Sequence, residues 1–435
     1  MEAQAPRYPK APLGTLMGCL MIVFLVLLPK GGSRLGGIPL TWGYLLVMGT
    51  APVALAVRLL LMPLRFDRRA LVVTFFLLPF QLLSLYAGKY YGVINPAFTF
   101  ATFVGLAALP WIFLLIFAPF YPMLNGDRLA RWFRTCVFLA AAWGIFLFFC
   151  KPLTGHFIEV PYITVNASDY GELENTKNIA RGTLFKLIST YNNGNLYGVA
   201  TLLIMPLFLQ LEPRRWRRMT VRIAVLLTLS RGVWVGLIFS ELLSVALQLL
   251  RTVQHFPILV LGKAKRRLIT VLLTIVFAVV AALFSRISVG LIQFFFDKTG
   301  GNRIGQFYVA GQAGLLPESG LYGFGEVLYA SAAQYWGWAG LAAFVLIMFS
   351  PILLLIWDQS ALDSPIRRAA LKGLMIYIVM ALIDGALDFI PVMAFYWFVY
   401  SVFIYGWPGW QTLGHAREEA VTPPLPAGSL VDSPA

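Results

Sequence analysis

Charge is in short supply in this chain. Of its 435 residues, 12% are charged and 59% are hydrophobic, about half the charged fraction of an ordinary soluble domain. That shortage excludes a soluble globular protein of this length. Cysteine and histidine are scarcer still, with three of each. Cys19, Cys136 and Cys150 lie in or at the ends of apolar runs. They have neither metal-site nor disulfide spacing and read as small buried hydrophobes. The sequence implies no metal and no cofactor; GLYGFG (320–325) is a glycine-rich loop before a helix rather than a phosphate-binding loop. Acidic residues number 19 against 34 basic ones. The resulting charge of +15 implies no nucleic-acid partner, because the basic residues are scattered through loops between apolar runs, where membrane topology accounts for them.

Apolar sequence is what is abundant. Twelve runs of membrane-spanning character can be drawn, at 13–29, 38–61, 70–87, 97–122, 135–150, 193–211, 219–230, 233–250, 268–284, 328–357, 373–388 and 390–406. The expectation is therefore an all-α, polytopic helical membrane protein. The first run follows a short basic stretch, as in a signal peptide, but no small-residue cleavage site follows it, so it is expected to stay as a helix. One integral membrane domain should cover 1–415. The proline-rich end VTPPLPAGSLVDSPA places a disordered tail over 416–435.

With the N-terminus inside, 23 of the 34 basic residues fall on the inner side, as the positive-inside rule requires. Both termini are then cytoplasmic. Two outer loops are long, about 151–192 and 285–327, and the segment ISVGLIQFFFDK in the second suggests a helix lying in the membrane interface. Most of the eleven outward basic residues belong to these loops, among them Arg181, Lys186, Arg286 and Arg303. Arg231 stands between the loops in the run IAVLLTLSRGVWVGLIF. A guanidinium does not lose its proton, so Arg231 must face a polar cavity, a membrane surface or an anionic partner. The run before it, 219–230, is short for a hydrocarbon core of about 30 Å, which suits a cavity floor. Guanidinium forks match phosphate oxygens; ion pairing with the loop carboxylates or with lipid headgroups is the alternative.

Other polar residues admit two readings. Asp384 and Asp388 are four apart and should share a face at the outer end of their helix, where they pair with arginines or hydrogen-bond a ligand. Glu241 lies ten residues into its span, about 15 Å deep, as a functional acid or a protonated structural one. Asn166-Ala-Ser168 matches a glycosylation acceptor and is set aside as a modification signal. Tyr191, Tyr197, Tyr322 and Trp336, near the outer mouth, are candidates for stacking on a ligand.

Three segments resemble one family. TYNNGNLYG (190–198) is similar to the GTFxNPNxxG signature of bacterial O-antigen ligases and Wzy-type polysaccharide polymerases. LTLSRG (227–232) resembles their TGSRG outer turn. GNRIGQFYVAGQAGLLPESGLYGFG, followed by YWGWAG, looks like their last long outer loop, with Arg303 and Gly314 in its Arg-x10-Gly spacing. Ligases of the family carry a His-Asn pair eleven residues before the glycine that corresponds to Gly337; here Glu326 and Val327 stand there, which favours a polymerase over a ligase.

The resemblance implies a metal-independent, inverting glycosyltransferase of the bacterial inner membrane with its site on the periplasmic face. Its donor would be an undecaprenyl-diphosphate-linked oligosaccharide and its acceptor a second glycan, with a chain-length regulator as a further partner. In that reading Glu326, Arg231 and Arg303 are catalytic. Arg181, Lys186, Arg286, Asn193, Asn195, Tyr191, Asp384 and Asp388 bind the diphosphate or the sugars. A ligase acting on lipid A-core is the first alternative. A transporter of lipid-linked sugars is the second; it should show charges along a path through the membrane and internal repeats, and the sequence has neither.

Overall fold

The computed structural model describes residues 10–35, 38–63, 66–173, 180–181, 184–255 and 303–410. The expected span 268–284, the interfacial segment 287–298, Arg286 and the tail 416–435 lie outside the described residues. Twelve helices carry the fold here: α1 (Pro12–Ile22, continued by a π-helical turn Val23–Leu27), α2 (Trp42–Leu61), α3 (Arg68–Tyr91), α4 (Pro96–Met123), α5 (Gly126–Thr154) and α6 (Gly194–Leu211). They continue with α7 (Arg215–Leu227), α8 (Arg231–His255), α9 (Arg303–Gly311), α10 (Leu328–Trp357), α11 (Pro365–Met380) and α12 (Ile390–Tyr405). Among the described residues, α2, α3, α4, α5, α6, α8 and α10 are long and apolar enough to cross a membrane. This is the architecture of a helical membrane protein.

Short polar side chains set where the helices begin. Thr41, Asp67, Asn95, Asn125, Asn193 and Ser364 each accept a hydrogen bond from a backbone N–H in the first turn of the helix that follows, satisfying donors that have no partner inside the helix. Burial then ranks the helices. α6 and α12 are apolar on every side and almost wholly buried, as central helices must be; α11 carries Arg367, Arg368 and Lys372 in its first half and is buried throughout from Gly373 to Met380. α2 leaves many of its leucines and valines exposed, as a helix facing lipid would.

The path of α4 follows from Pro110. Its ring has no N–H for the carbonyl of Leu106 one turn earlier, and that carbonyl takes the Gln81 amide instead (3.2 Å). The helix widens to π geometry at Val104–Ala108 and Ile112–Phe117. There Trp397 Nε1 donates to Gly105 O (2.6 Å) and the Tyr405 hydroxyl to Leu114 O (2.9 Å). Side chains of neighbouring helices thus supply donors that lipid cannot.

Three expected spans are corrected. The run 373–388 is helical only as far as Met380, and 381–389 is an irregular connection, so Asp384 and Asp388 do not share a helical face. The span 328–357 is broken at Gly337, whose φ is +71°. A Cβ there would stand 2.7 Å from the carbonyl oxygens of Leu315 and Leu316. The freed N–H groups of Trp338 and Ala339 donate to Gly314 O and Leu315 O (3.0 and 2.9 Å), so the preceding loop is pinned into the break. The span drawn at 135–150 is the middle of the longer α5.

At the end of the bundle where α3, α7 and α11 begin, Arg69 bridges Asp67 (2.9 Å) and Asp358 (2.7 Å), and Arg367 also reaches Asp358 (3.3 Å). Burial works to raise the Asp358 carboxyl, but hydrogen bonds from Ser360 and the charges of Arg367 and Arg69 hold it down at about 2. Glu241 is exposed and stands 3.7 Å from Arg222.

Candidate functional site

At the opposite end of the bundle, the starts of α2, α4, α6 and α12 enclose a cavity of about 490 Å³. Each start brings something to it. Thr41 and Tyr44 come from α2, Ala97, Phe98 and Ala101 from α4, Asn193 and Asn195 from α6, and Glu326 from the loop before α10. The 381–389 connection supplies Asp384 and Asp388. Among the described residues the walls carry four carboxylates, Asp169, Glu326, Asp384 and Asp388, with the ammonium of Lys30.

The α6 wall is built by its own cap. Asn193 Oδ1 accepts from the N–H groups of Asn195 and Leu196 (2.8 and 3.3 Å), which turns Asn195 toward the cavity at the helix start. Asn195 Nδ2 donates to Asp384 Oδ2 (2.7 Å), and Lys186 Nζ donates to Asn195 Oδ1 (3.0 Å). Lys186 is 1% exposed. A buried lysine needs such acceptors if it is to keep its charge, and Asn195 links it to the cavity wall.

Asp388 is held from two other elements. Its Oδ1 accepts from the Phe324 N–H (3.3 Å) and from the Thr102 hydroxyl of α4 (3.4 Å). It belongs to the irregular connection, outside the membrane-crossing helices. Burial pushes its carboxyl up to about 7, against the pull of those two hydrogen bonds.

Backbone strain marks the cavity wall at one point and the segment before α6 at two. Among the described residues, five other than glycine have positive φ: Tyr162, Ser189, Asn192, Leu229 and Ala386. Ser189 and Asn192 precede α6, Leu229 lies two residues before Arg231, and Ala386 sits between the two aspartates on the cavity wall. Such conformations are unfavourable by about 1–3 kcal/mol each and gather where surrounding structure enforces a particular geometry. Tertiary bonds enforce it here. Ser189 Oγ donates to Ala140 O (2.6 Å), Asn192 Nδ2 to Thr164 O (3.1 Å) and the Tyr377 hydroxyl to Gly385 O (2.6 Å).

The sequence-derived site residues divide accordingly. Asn193, Asn195, Glu326, Asp384 and Asp388 line the cavity together. Glu326 is exposed. Lys186 lies behind Asn195. Tyr191 lies deeper still, with its hydroxyl donating to Val26 O (3.2 Å); Tyr197 and Trp336 are also core residues, so none of the three offers a ring face to a sugar. Arg231 is the first residue of α8 and does not line the cavity. The residue after it, Gly232, packs on Ile383, beside the connection that carries Asp384. Arg303 opens α9, and Gln306 one turn later accepts from the Val327 N–H (3.3 Å), which ties α9 to the Glu326 loop. Arg181 lies in a two-residue strand (Ala180–Arg181) paired with Leu184–Phe185.

Lys30, Asn166 and Asp169 were missed. Asn166 is 2% exposed. Its Oδ1 accepts from the Ser168 N–H (3.3 Å) and its Nδ2 donates to Ser33 O (2.8 Å), so the Asn-X-Ser spacing builds a turn of the cavity wall. Lys30 lies 4.6 Å from the centre of the Phe389 ring. No family model and no curated protein matches the chain, so its own residues carry the functional reading.

Proposed function

We propose that this protein is a membrane glycosyltransferase that extends glycans from undecaprenyl-diphosphate-linked oligosaccharide repeats, with the cavity at the start of α6 as its site. The supporting observation is convergence. The segments 190–198 and 301–325, far apart in sequence, resemble two signatures of one family; the first lines the cavity with Asn193 and Asn195 and the second with Phe324 and Gly325, next to Glu326. Polar walls, amide groups and carboxylates suit the hydroxyls of a sugar chain. Arg231 beside the Asp384 connection and Arg303 tied to the Glu326 loop would stabilise the charge on the departing diphosphate.

In this reading the cavity opens to the periplasm. The basic residues at the opposite end, among them Arg68, Arg69, Arg214, Arg215, Arg367 and Arg368, then lie on the cytoplasmic side. The protein would belong to the bacterial inner membrane, with both termini in the cytoplasm. A chain-length regulator would be a further partner.

Glu326 where family ligases carry histidine favours polymerisation over ligation. Purified protein given a synthetic lipid-diphosphate repeat unit should yield a ladder of lengthening products on a gel. A single transfer onto lipid A-core, with no ladder, would show a ligase instead.

A further inference from the structure

The cavity holds four carboxylates, and a transfer at this site needs one of them to take a proton. We infer that Asp388, and not Glu326, accepts the proton of the acceptor hydroxyl; this rests on the glycosyl-transfer reading above. The argument is geometric. Asp388 lines the cavity, and both of its hydrogen bonds fall on Oδ1, from the Phe324 N–H and the Thr102 hydroxyl. Among the described residues Oδ2 has no hydrogen-bonding or ionic partner. Asp384 differs, since its Oδ2 is taken by the Asn195 amide, itself backed by Lys186. Glu326 differs in being exposed.

The surroundings also suit Asp388 to the task. The charged groups facing it are Asp384 on its own connection, Glu326 on the loop before α10, Asp169, and Lys30. Among the described residues, the titratable hydroxyls of Tyr44 on α2 and Tyr377 on α11 join them. The helix start packed against it, Ala97 to Thr102 of α4, brings no charge. Burial in this setting raises its carboxyl to about 7, near the pH at which a general base combines availability with driving force. Two carboxylates four residues apart, one bonded to an amide and one poorly solvated, are the arrangement in which acid–base duties separate.

The step balances as follows. The acceptor hydroxyl oxygen bonds to the anomeric carbon of the donor while its proton passes to Asp388 Oδ2. The bond from that carbon to the diphosphate oxygen breaks, and its electron pair leaves with the lipid diphosphate. Asp388 then returns the proton to water.

The test is the pH dependence of single-turnover transfer by the purified protein with saturating donor. Wild type should lose activity as the pH falls through about 7, because protonation removes the base. Asp388→Asn keeps an acceptor for Thr102 and Phe324, so donor binding should change less than about two-fold. Its transfer rate should fall about 10²–10⁴-fold with the acid limb abolished. Asp388→Glu should recover part of the rate together with a shifted limb, and Glu326→Gln should keep the wild-type limb. A wild-type limb in Asp388→Asn, or its loss in Glu326→Gln alone, overturns the assignment while leaving glycosyl transfer intact. Absence of transfer by wild type overturns both.

Discussion

Gly373→Val should yield little folded protein. A Cβ at this position of α11 would overlap the carbonyl oxygen of Leu203 in the middle of α6. Leu203 is part of a regular helix and cannot rotate aside as a side chain would. The two helices therefore have to separate, and overpacking of this kind is unfavourable by about 1–3 kcal/mol or more. The same contact carries the site. Asn195 stands at the start of α6 and Asp384 follows the end of α11, and their 2.7 Å hydrogen bond requires the helices at this spacing. Gly373→Ala should be milder but still destabilising. Size-exclusion profile and thermal denaturation in detergent will check both, and a wild-type melting temperature for Gly373→Val would contradict the close approach.

Arg231→Ala and Arg303→Ala should each lower the transfer rate by about 10²–10³-fold, the effect of removing one donor that stabilises a leaving-group charge. Donor affinity should fall much less, because the charge on the diphosphate grows as its bond to the sugar breaks. Lysine at either position keeps the charge and loses the planar fork, so it should recover only part of the rate. The two arginines stand on different elements. Arg231 follows the strained turn at Leu229 and adjoins Gly232, which packs on Ile383. Arg303 opens α9, whose Gln306 holds the backbone of Val327. Single-turnover kinetics with a lipid-diphosphate donor will measure both effects, and unchanged rates in both alanine variants would contradict a role for either.

Much of the α6 wall is legible in the sequence, because its information is local. The asparagine pair in TYNNGNLYG places a cap and a polar helix start in front of an apolar run, and Asn193 and Asn195 lie where that pattern puts them. Helix positions were legible because a lipid-facing segment must be apolar over a fixed length. The 381–389 connection was not. Its residues continue the apolar pattern of α11, and what stops the helix is tertiary. Gly385 is pressed against Leu328, its carbonyl takes the Tyr377 hydroxyl, and Ala386 is driven to positive φ. Asp384 and Asp388 were therefore expected on one helical face, and the separation of their environments was invisible. Lys186 misled for a related reason: a lysine in a loop normally meets solvent or substrate, and burial behind Asn195 is decided by the packing of the segment before α6. Asn166 shows the reverse error, since its Asn-X-Ser motif was set aside as a modification signal although the same spacing forms a turn.

The central claim is that the cavity between α4, α6 and the 381–389 connection receives the lipid-linked donor from the periplasmic side. Ala97 lines it at the start of α4, and a cysteine there tests both parts of the claim at once. In a background lacking Cys19, Cys136 and Cys150, Ala97→Cys should react with a membrane-impermeant maleimide applied to the periplasmic face of spheroplasts. Donor lipid should slow that reaction in purified protein. Labelling only from the cytoplasmic face, or a rate indifferent to saturating donor, would contradict the account.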